Sequence, residues 1–341
     1  MISLELEERY SRQLLFSGIG EEGQRKLSSS QVVLVGCGAT GSAIASLLAR
    51  AGVGKIRIID RDYVENSNLQ RQTLFDESDA AESMPKAIAA ANKIARFNSD
   101  ISVVPEVADV TPATIDELLT GAELILDGTD NFETRYLIND FAVKEAIPWI
   151  YTAAVGSYAV SLNVVPGLTA CLSCIFPDPP KGSFETCDTA GILNSAANLA
   201  ASISASEAIK ILVGANAQLR HTLLSFDLWS NEFAELAADK PRANCRTCAK
   251  REFIHLSGQN RPHITLCGRN SVQIHESHRP VDLAQMGERL KPHGTVKSNN
   301  FVLKFWRDPY EMTLFPDGRA IIKGTTDVAV ARSLYARYVG S

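Results

Sequence analysis

The chain has little histidine and no excess of positive charge. It contains six histidines in 341 residues, and five of the six lie at or beyond His255. The formal net charge is −5 at pH 7, so we expect no dominant basic face that would release counterions from a nucleic acid. The sequence therefore argues against a nucleic-acid partner.

Signals for export and for membrane insertion are also lacking. Residues 1–10 are acidic and contain no apolar segment, so we expect no signal peptide and a cytoplasmic location. Residues 190–214 form the most apolar long stretch. That stretch also carries Asn194, Asn198, Glu207 and Lys210. We expect a buried helix there and no membrane span.

The composition suits a large globular protein. Hydrophobic residues make up 45% of the sequence and charged residues 21%, as is usual for soluble proteins. Because 341 residues exceed the usual size of one domain, we expect a main domain over residues 1–256 and a smaller one over residues 262–341.

A nucleotide-binding pattern begins at residue 31. Residues 31–35 are apolar and β-branched, which is typical of a strand buried in a parallel sheet. A glycine-rich turn follows, and a helix is expected over residues 42–50. The turn contains Gly36, Gly38, Ala39 and Gly41. Such a turn lets backbone N–H groups and a helix N-terminus approach a phosphate.

A second predicted strand, residues 55–59, ends in Asp60. This spacing is typical of a carboxylate that meets a ribose hydroxyl. The alternative is a glycine turn that only packs a helix against a strand.

The segment after Asp60 is unlike that of a dehydrogenase. Residues 61–72 are too polar for a core helix and are rich in side-chain donors. Lys86 opens the next helix directly after a proline. Asn68, Arg71 and Lys86 could hold a triphosphate, because arginine offers a fixed fork of donors and lysine a mobile charge. For any one of these cations taken alone, a solvated surface position is the favoured interpretation.

The elements that follow predict a doubly wound, mostly parallel α/β sheet. Strands are predicted over residues 101–105 and 122–126. Helices are predicted over residues 86–96, 112–119 and 132–146. After Trp149 the pattern changes, and a hairpin over residues 158–165 predicts an antiparallel extension.

Polar residues follow the fourth predicted strand, at positions 127–131. The carboxyl end of such a strand lies on the edge where open α/β sheets bind ligands. We favour a carboxylate there that holds Mg²⁺ against a phosphate. The alternative is that Asp130 or Asn131 caps the next helix.

Four of the seven cysteines form two Cys-x-x-Cys pairs. The pairs are Cys171 with Cys174 and Cys245 with Cys248. Four thiolates can share one tetrahedral zinc ion, which would join two distant parts of the chain. We favour structural zinc over redox-active pairs, because a redox dithiol needs only one pair and normally begins a helix.

The remaining cysteines stand alone. Cys37 in the glycine turn and Cys267 at the end of an apolar run are interpreted as packed and inert. Cys187 lies in a polar segment just ahead of the long apolar stretch, where a helix start can lower the pKa of a thiol. A reactive thiol and a partly buried structural cysteine are both consistent with this position.

The region from residue 262 onward predicts a small α+β unit. Apolar runs lie at residues 264–267 and 272–275, strands at 301–306, 312–315 and 320–323, and helices at 281–290 and 327–338. The unit contains no acid–base cluster, so we expect a role in recognition or assembly.

In combination, these motifs resemble the ThiF/MoeB/HesA family of adenylyltransferases, relatives of the ubiquitin-activating enzymes. The resemblance rests on residues 9–13, 36–41, 60–62, 67–72, 85–86 and 129–131 and on the two cysteine pairs. It covers roughly the first 250 residues, and the combination is specific.

The resemblance implies a reaction and a partner. ATP would adenylate the C-terminal glycine of a ubiquitin-like sulfur-carrier protein, either ThiS-like, which we favour, or MoaD-like, for thiamin or molybdopterin biosynthesis. Asp60 would bind the ribose, while Asn68, Arg71 and Lys86 would bind the phosphates. Asp130 would hold the magnesium ion.

Further positions match the family. Arg12 would reach into the site of a partner subunit, which implies a homodimer. The four paired cysteines match zinc ligands, and Cys187 matches a cysteine implicated in sulfur transfer, with a sulfur-donor protein as a further partner. The matching motifs add three candidate nucleotide-binding residues, Asp62, Ser67 and Asn131.

Two features depart from the family pattern. The turn usually reads GxGGLG, whereas this chain has Ala39 and Thr40, which could alter nucleotide affinity. The C-terminal unit is absent from the shortest members and too short for a rhodanese domain, so we assign it no chemistry.

Two other functions compete. A nicotinamide-dependent dehydrogenase would explain the glycine turn and Asp60 but leaves the 61–72 segment and the cysteine pairs without a role. A scaffold that only binds a ubiquitin-like protein is consistent with the fold, but every matched catalytic position is filled.

Overall fold

The computed structural model describes residues 4–178, 189–257, 265–266, 271–274 and 280–340. The expectations for Cys187 and Cys267 lie outside the described residues, as does the predicted boundary between the two units.

Eight strands form the sheet of the larger unit. They are β1 (Gln31–Val35), β2 (Lys55–Ile59), β3 (Ser102–Glu106), β4 (Leu124–Asp127), β5 (Trp149–Val155), β6 (Tyr158–Val164), β7 (Thr222–Asp227) and β8 (Glu232–Ala237). Their order is β3-β2-β1-β4-β5-β6-β7-β8. In this order, the first five strands, from β3 to β5, pair in parallel, and the strands from β5 to β8 pair antiparallel. The predicted sheet with its antiparallel extension is confirmed.

The helices of this unit lie on both faces of the sheet. They are α1 (Leu4–Leu14), α2 (Gly20–Ser29), α3 (Ala39–Ala51), α4 (Glu77–Ala81), α5 (Lys86–Phe97), α6 (Ile115–Leu119), α7 (Phe132–Glu145), α8 (Leu172–Ile175) and α9 (Asn194–Val213). Val32 and Leu34 of β1 pack in one cluster with α3, α5 and α9, whereas Val33 and Val35 pack in another with α6 and α7. Successive side chains of a strand point to opposite faces, so this alternation builds a three-layer core.

Helix α9 is the apolar helix predicted within residues 190–214. By length and composition alone it could cross a membrane, but 50% of its apolar window is buried inside the structure. The hydroxyl of Ser204 meets those of Thr152 and Ser161 on β5 and β6. The carboxylate of Glu207 accepts hydrogen bonds from Asn163 and from the backbone N–H of Arg220. The helix is tied to the sheet along its length, as we expected of a core helix.

The second unit, which we call the C-terminal module, has its own sheet and core. Its elements are β9 (Thr265–Leu266), β10 (Ser271–Ile274), α10 (Leu283–Leu290), β11 (Thr295–Ser298), β12 (Leu303–Arg307), β13 (Tyr310–Leu314), β14 (Ala320–Lys323) and α11 (Val328–Tyr338). The strands pair antiparallel in the order β11-β12-β13-β14-β10-β9. The predicted α+β class is confirmed. Strand β11 was missed, because most of its side chains are exposed and carry no apolar pattern.

The structure corrects three predicted boundaries. The hairpin predicted over residues 158–165 is wrong: this segment is the single strand β6, and its hairpin partner is β5, with the turn at Gly156, whose φ is +59°. Helix α6 begins at Ile115 and not at residue 112, because the Thr114 hydroxyl holds a turn by accepting the Thr111 N–H at 2.9 Å. Helix α3 begins at Ala39, inside the glycine turn.

Candidate nucleotide and zinc sites

The turn after β1 packs against the turn after β4. Gly36 has a φ of +85°, and a Cβ there would lie 2.6 Å from the carbonyl oxygen of Gly128. A Cβ on Gly41 would lie 2.0 Å from the Gly36 carbonyl oxygen. Both glycines are therefore required by the packing of backbone on backbone. For Gly36 and Gly41, the alternative interpretation is therefore correct: these glycines pack the turn.

Gly38 has different surroundings. A Cβ there would have as its neighbour the Gly128 carbonyl oxygen, at 3.8 Å, which is ordinary contact. The fold does not require glycine at this position, whereas the close approach of a ligand to the backbone would. Ala39 begins α3 beside it and is half-buried. The backbone around Gly38 is the part of the turn best suited to receive a nucleotide.

Asp60 fixes the end of β2 to the glycine turn. Its carboxylate accepts the Cys37 N–H at 2.6 Å and the Asp62 N–H at 2.7 Å. Burial raises the pKa of Asp60, and the positive charge of Lys86 opposes that rise. Burial also raises the pKa of the Cys37 thiol, in keeping with an inert packed cysteine. The acceptor sites left on the carboxylate suit a pair of ribose hydroxyls.

Lys86 is held beside the same strand end. It opens α5 directly after Pro85, and only 3% of its surface is exposed. Its Nζ lies 3.2 Å from an Asp62 carboxylate oxygen, and its backbone N–H donates to the Asp62 carbonyl. The predicted cation and the Asp60–Asp62 strand end are thus brought together.

Asn68 and Arg71 lie on a short 3-10 turn over Asn66–Asn68. Asn68 is 1% exposed, and its Oδ1 accepts the Glu65 N–H at 3.1 Å, while the Glu65 side chain accepts the Asn68 N–H. This reciprocal cap engages the acceptor end of the amide, so its Nδ2 donor is the group suited to a phosphate. Arg71 donates to the carbonyl of the exposed Ser67 at 2.7 Å.

The two acidic residues after β4 differ sharply. Asp127 is fully buried, pairs with Arg135 at 3.0 Å and accepts from Thr129. Asp130 is exposed, so its carboxylate is the one suited to a magnesium ion. Asn131 caps α7 by accepting the Thr134 N–H at 2.8 Å. The helix-cap alternative is therefore correct for Asn131, whose acceptor oxygen is engaged in the cap.

Arg12 belongs to helix α1, ahead of the first strand in the chain. It is exposed in the last turn of α1. An exposed cation is accessible to a second subunit, as the sequence-based expectation requires.

The two cysteine pairs meet in space. Cys171 and Cys174 lie on either side of the start of α8, and the four sulfurs of Cys171, Cys174, Cys245 and Cys248 lie within 4.8 Å of one another. Individual separations are 3.8, 3.6 and 3.3 Å. Zinc–sulfur bonds of about 2.3 Å in a tetrahedron place sulfurs about 3.8 Å apart, so these residues fit a zinc ion.

Groups around the cluster favour this geometry. The Arg242 N–H points at the Cys174 sulfur at 3.3 Å, which stabilises a thiolate. The Thr247 hydroxyl, between the second pair, donates to Asp140 of α7 at 3.0 Å. Burial raises the pKa of Asp140 to about 6. The cluster thereby joins the segments of both cysteine pairs to α7.

The structure also shows polar groups that the sequence analysis missed. Arg61 pairs with Asp109 at 3.2 Å, which joins the segments after β2 and β3 at the edge that carries Asp60. Arg135 anchors Asp127 and donates to the Thr129 carbonyl. The position of Asp109, shortly after a predicted parallel strand, was the one sequence feature that could have indicated its role. Its partner Arg61 lies 48 residues away in the chain, so the pair itself has no local pattern.

The fold and the site together define the class of this protein. It is a doubly wound α/β protein of the kind that binds nucleotides at the carboxyl edge of its parallel strands. Its glycine turn, the buried carboxylate at the next strand end and the four-cysteine cluster are the features of the site. Comparison with known proteins narrows the class. Residues 10–247 match the ThiF family. The chain belongs to the ThiF family, and the predicted resemblance is confirmed.

Two curated relatives extend the comparison. The sulfur carrier protein ThiS adenylyltransferase of Bacillus subtilis is 46% identical over 336 residues, 97% of this chain and 99% of that protein. The SAMP-activating enzyme E1 of Haloferax volcanii is 36% identical over 71% of this chain and 89% of that protein.

Solved structures agree on the fold. The crystal structure of E. coli MccB with ATP matches with a TM-score of 0.61 and 25% identity over 70% of this chain and 74% of that chain. MccB with MccA-N7isoASN matches with a TM-score of 0.64 and 26% identity over 71% of this chain and 74% of that chain.

Proposed function

We propose that the chain is an ATP-dependent adenylyltransferase that activates the C-terminal glycine of a ubiquitin-like sulfur-carrier protein. The observation that carries this proposal is the 46% identity to a ThiS adenylyltransferase over 97% of this chain and 99% of the relative. The arrangement of Asp60, Asn68 and Lys86 around the carboxyl edge supports it, because each presents the group that a ribose or a phosphate needs.

A ThiS-like carrier is favoured over a MoaD-like one. The alignment with the ThiS adenylyltransferase spans 97% of the chain and so takes in the C-terminal module, whereas the alignment with the SAMP-activating enzyme spans 71%. The module is thus shared with a relative that serves ThiS.

The residues perform the chemistry by charge and position. The carrier carboxylate attacks the α-phosphate of ATP, pyrophosphate leaves, and an acyl-adenylate forms. Asp60 holds the ribose, while Asn68, Arg71 and Lys86 bind the phosphates and offset their charge. A magnesium ion held by Asp130 would neutralise further charge on the leaving pyrophosphate. No general base is needed, since the attacking carboxylate is already ionised.

Three further assignments complete the proposal. Arg12 completes the site of a second subunit in a homodimer, and the four-cysteine cluster holds a structural zinc ion. The exposed apolar side chains of Trp229, Phe233 and Leu236 on and beside the edge strand β8 support a protein partner. The units are assigned as residues 1–256 for adenylation and residues 262–341 for the module, in a cytoplasmic enzyme.

Cys187 is proposed to take part in sulfur transfer after adenylation. A thiolate or persulfide displaces AMP from an acyl-adenylate readily, because sulfur is a strong nucleophile and AMP a good leaving group. Cys187→Ala should retain adenylation but lose the covalent enzyme–carrier adduct. Normal thiocarboxylate formation in that variant would assign the sulfur delivery to an outside donor protein.

ATP–pyrophosphate exchange tests the proposal. Exchange should depend on a ThiS-like protein that ends in Gly-Gly, and a carrier with its last glycine removed is the matched control. Hydride transfer to or from a nicotinamide with no exchange would favour a dehydrogenase instead. Carrier binding without formation of AMP or pyrophosphate would favour a scaffold. Lys86→Ala distinguishes the enzyme from the scaffold, because in the enzyme it should abolish exchange but not carrier binding.

A further inference from the structure

The C-terminal module docks onto the segment between β2 and α5, residues 61–86, which we call the phosphate segment. Tyr63 is 1% exposed and packs in one cluster with Val302, Phe315 and Ile321 of the module. The ammonium group of Lys304 lies 4.0 Å from the centre of the Tyr63 ring. The module therefore covers the start of the phosphate segment with a packed apolar contact.

The same module also contacts the end of the phosphate segment. Lys297 donates to the Ala81 carbonyl and Asn299 to the Glu82 carbonyl, both at 2.6 Å. These carbonyls lie just before Lys86 in the chain. The segment is thus held at both ends by a unit that lies more than 200 residues further along the chain.

One junction contact leads directly to a candidate phosphate-binding residue. Lys323 Nζ lies 2.5 Å from Glu65 Oε1, which the Tyr63 hydroxyl also approaches at 3.3 Å. Glu65 is the residue that shares the reciprocal cap with Asn68. Lys323 of the module is therefore connected to Asn68 through one intervening residue, Glu65.

The environment of this ion pair makes it stronger than an exposed one. The side chains of Lys323 and Glu65 are 24% and 20% exposed, so water screens them less than it screens a surface pair. Burial alone would lower the pKa of Lys323, but Tyr63 and Glu65 outweigh burial and raise it. Lys323 is fully charged at neutral pH, and it restrains the Glu65 carboxylate that accepts the Asn68 N–H.

We propose that the C-terminal module is a positioning element of the nucleotide site, and that Lys323 acts through Glu65 to orient Asn68 toward ATP. The proposal rests on the proposed function, because the role of Asn68 belongs to it. Without Lys323, the Glu65 carboxylate can turn to water, and the Asn68 N–H then keeps only its bond to the Glu65 carbonyl, at 2.9 Å, which loosens the cap that holds Asn68. ATP affinity should then fall while carrier recognition stays the same.

The test compares Lys323→Met with the wild-type full-length protein. Calorimetry with ATP should show binding weaker by about five- to tenfold, the loss expected when one hydrogen bond to a charged group is misaligned. In carrier-dependent exchange, KM for ATP should rise by a similar factor while KM for the carrier and the zinc content stay unchanged. Lys323→Arg should restore binding, because it keeps the charge.

Two further variants identify the path. Glu65→Gln removes the charge that pairs with Lys323, leaves every residue of the module in place and should weaken ATP binding in the same direction as Lys323→Met. The double variant should bind ATP no worse than Lys323→Met alone, because both substitutions break the Lys323–Glu65 pair; the contact of Lys323 with Glu311, at 3.6 Å, lies within the module. Glu65→Gln also keeps the test decisive if Lys323→Met fails to fold.

Lys297→Met is the matched control, since it removes a junction hydrogen bond that does not involve Glu65. It should change ATP binding by less than about twofold. Equal weakening in Lys297→Met and Lys323→Met, or wild-type ATP affinity in Lys323→Met, would overturn the proposal. Wild-type protein that binds ATP but shows no carrier-dependent exchange would refute the proposed function and leave the ATP comparison valid; no ATP binding at all would refute both.

Discussion

Two carboxylates three residues apart, Asp127 and Asp130, have opposite surroundings. Asp127 is buried against Arg135, while Asp130 is exposed at the edge that carries the glycine turn. The first is suited to holding β4 and α7 in place and the second to binding a ligand. Residue type alone does not separate these roles, because burial decides which charge has a partner in the fold.

Asp130→Asn should abolish carrier adenylation while the protein stays folded. The substitution removes the charge that would hold magnesium but disturbs no packing, since the side chain is exposed. Arg71→Ala should act in the same way through the phosphates. ATP–pyrophosphate exchange measures the loss, and thermal unfolding measures the retained fold. Exchange at the wild-type rate in either variant would contradict the site assignment.

Asp127→Asn is the contrasting variant. It leaves the buried Arg135 without its carboxylate partner and should lower the free energy of unfolding by about 3–5 kcal/mol. Denaturant unfolding followed by circular dichroism gives the difference. Stability equal to that of Asp130→Asn would show that the ion pair does not support the fold.

Glu207 should make stability depend on pH. Burial alone would raise its pKa, but hydrogen bonds from Lys210, the Arg220 N–H and Asn163 outweigh burial and hold it below the usual value. Because the folded pKa lies below the unfolded value of about 4.3, this contribution is complete above that pH and is lost as pH falls through the folded pKa. Glu207→Gln should lower stability by about 1–3 kcal/mol at pH 7.

The deficit of Glu207→Gln should shrink as pH falls below about 4. Comparing the variant with wild type at each pH cancels effects on the cysteine cluster, which both proteins share. A deficit that stays constant down to pH 3 would mean that the Glu207 charge contributes nothing.

At the scale of elements, short polar connections carry most of the candidate site. The glycine turn, the 3-10 turn of Asn66–Asn68 and the loop after β4 all lie at strand ends, where the parallel strands leave backbone groups unpaired. The cysteine cluster similarly joins the α8 segment and the 245–248 segment to α7. These connections are short and irregular, so they are held by individual side-chain contacts and by the cysteine cluster and not by the regular hydrogen bonds of helices and strands.

The cluster should bind one zinc ion per chain, and Cys248→Ser should lower thermal stability. A four-thiolate site that loses one ligand loses metal affinity, and the metal contributes directly to the folding of the segments it joins. Metal analysis of protein purified without chelator, followed by thermal unfolding, checks both points.

Cys37→Ala is the matched control for the cluster, since Cys37 is a buried cysteine outside it. It should keep its zinc. Wild-type protein without zinc would contradict the metal assignment, and Cys248→Ser with full zinc and unchanged melting would contradict its contribution to stability.

At the scale of the whole molecule, the candidate nucleotide site lies beside the C-terminal module. The C-terminal module contacts the phosphate segment, and Arg12 is exposed. The proposed homodimer can be tested by complementation between two variants.

Mixing two inactive proteins, Arg12→Ala and Asp130→Asn, should restore activity. In a mixed dimer one site receives an intact Asp130 from its own subunit and an intact Arg12 from the partner, while the other site lacks both. Equal mixing with free exchange of subunits should yield about one quarter of wild-type activity, because half of the dimers are mixed and each has one working site. No recovery after refolding the mixture would contradict the role of Arg12 across subunits.

Most of the sheet could be predicted from sequence, because its strands and helices have local patterns. Strands β1 and β2 and the start of α5 at Lys86 match the structure to the residue. The hairpin near residue 158 was misplaced, since β5 and β6 are both apolar and only the pairing shows where the turn lies. Strand β11 lacked any apolar signal and was missed.

The sequence by itself determined the fold class, the family and the set of candidate site residues, because these depend on motifs of adjacent residues and on local periodicity. Only the tertiary structure decided which of those residues serve the fold: Gly36 and Gly41 pack backbone on backbone, and Asn131 caps a helix. It alone revealed the contact between Glu65 and Lys323, which are 258 residues apart. No local pattern encodes such a pair, because the packing of the two units on each other creates it.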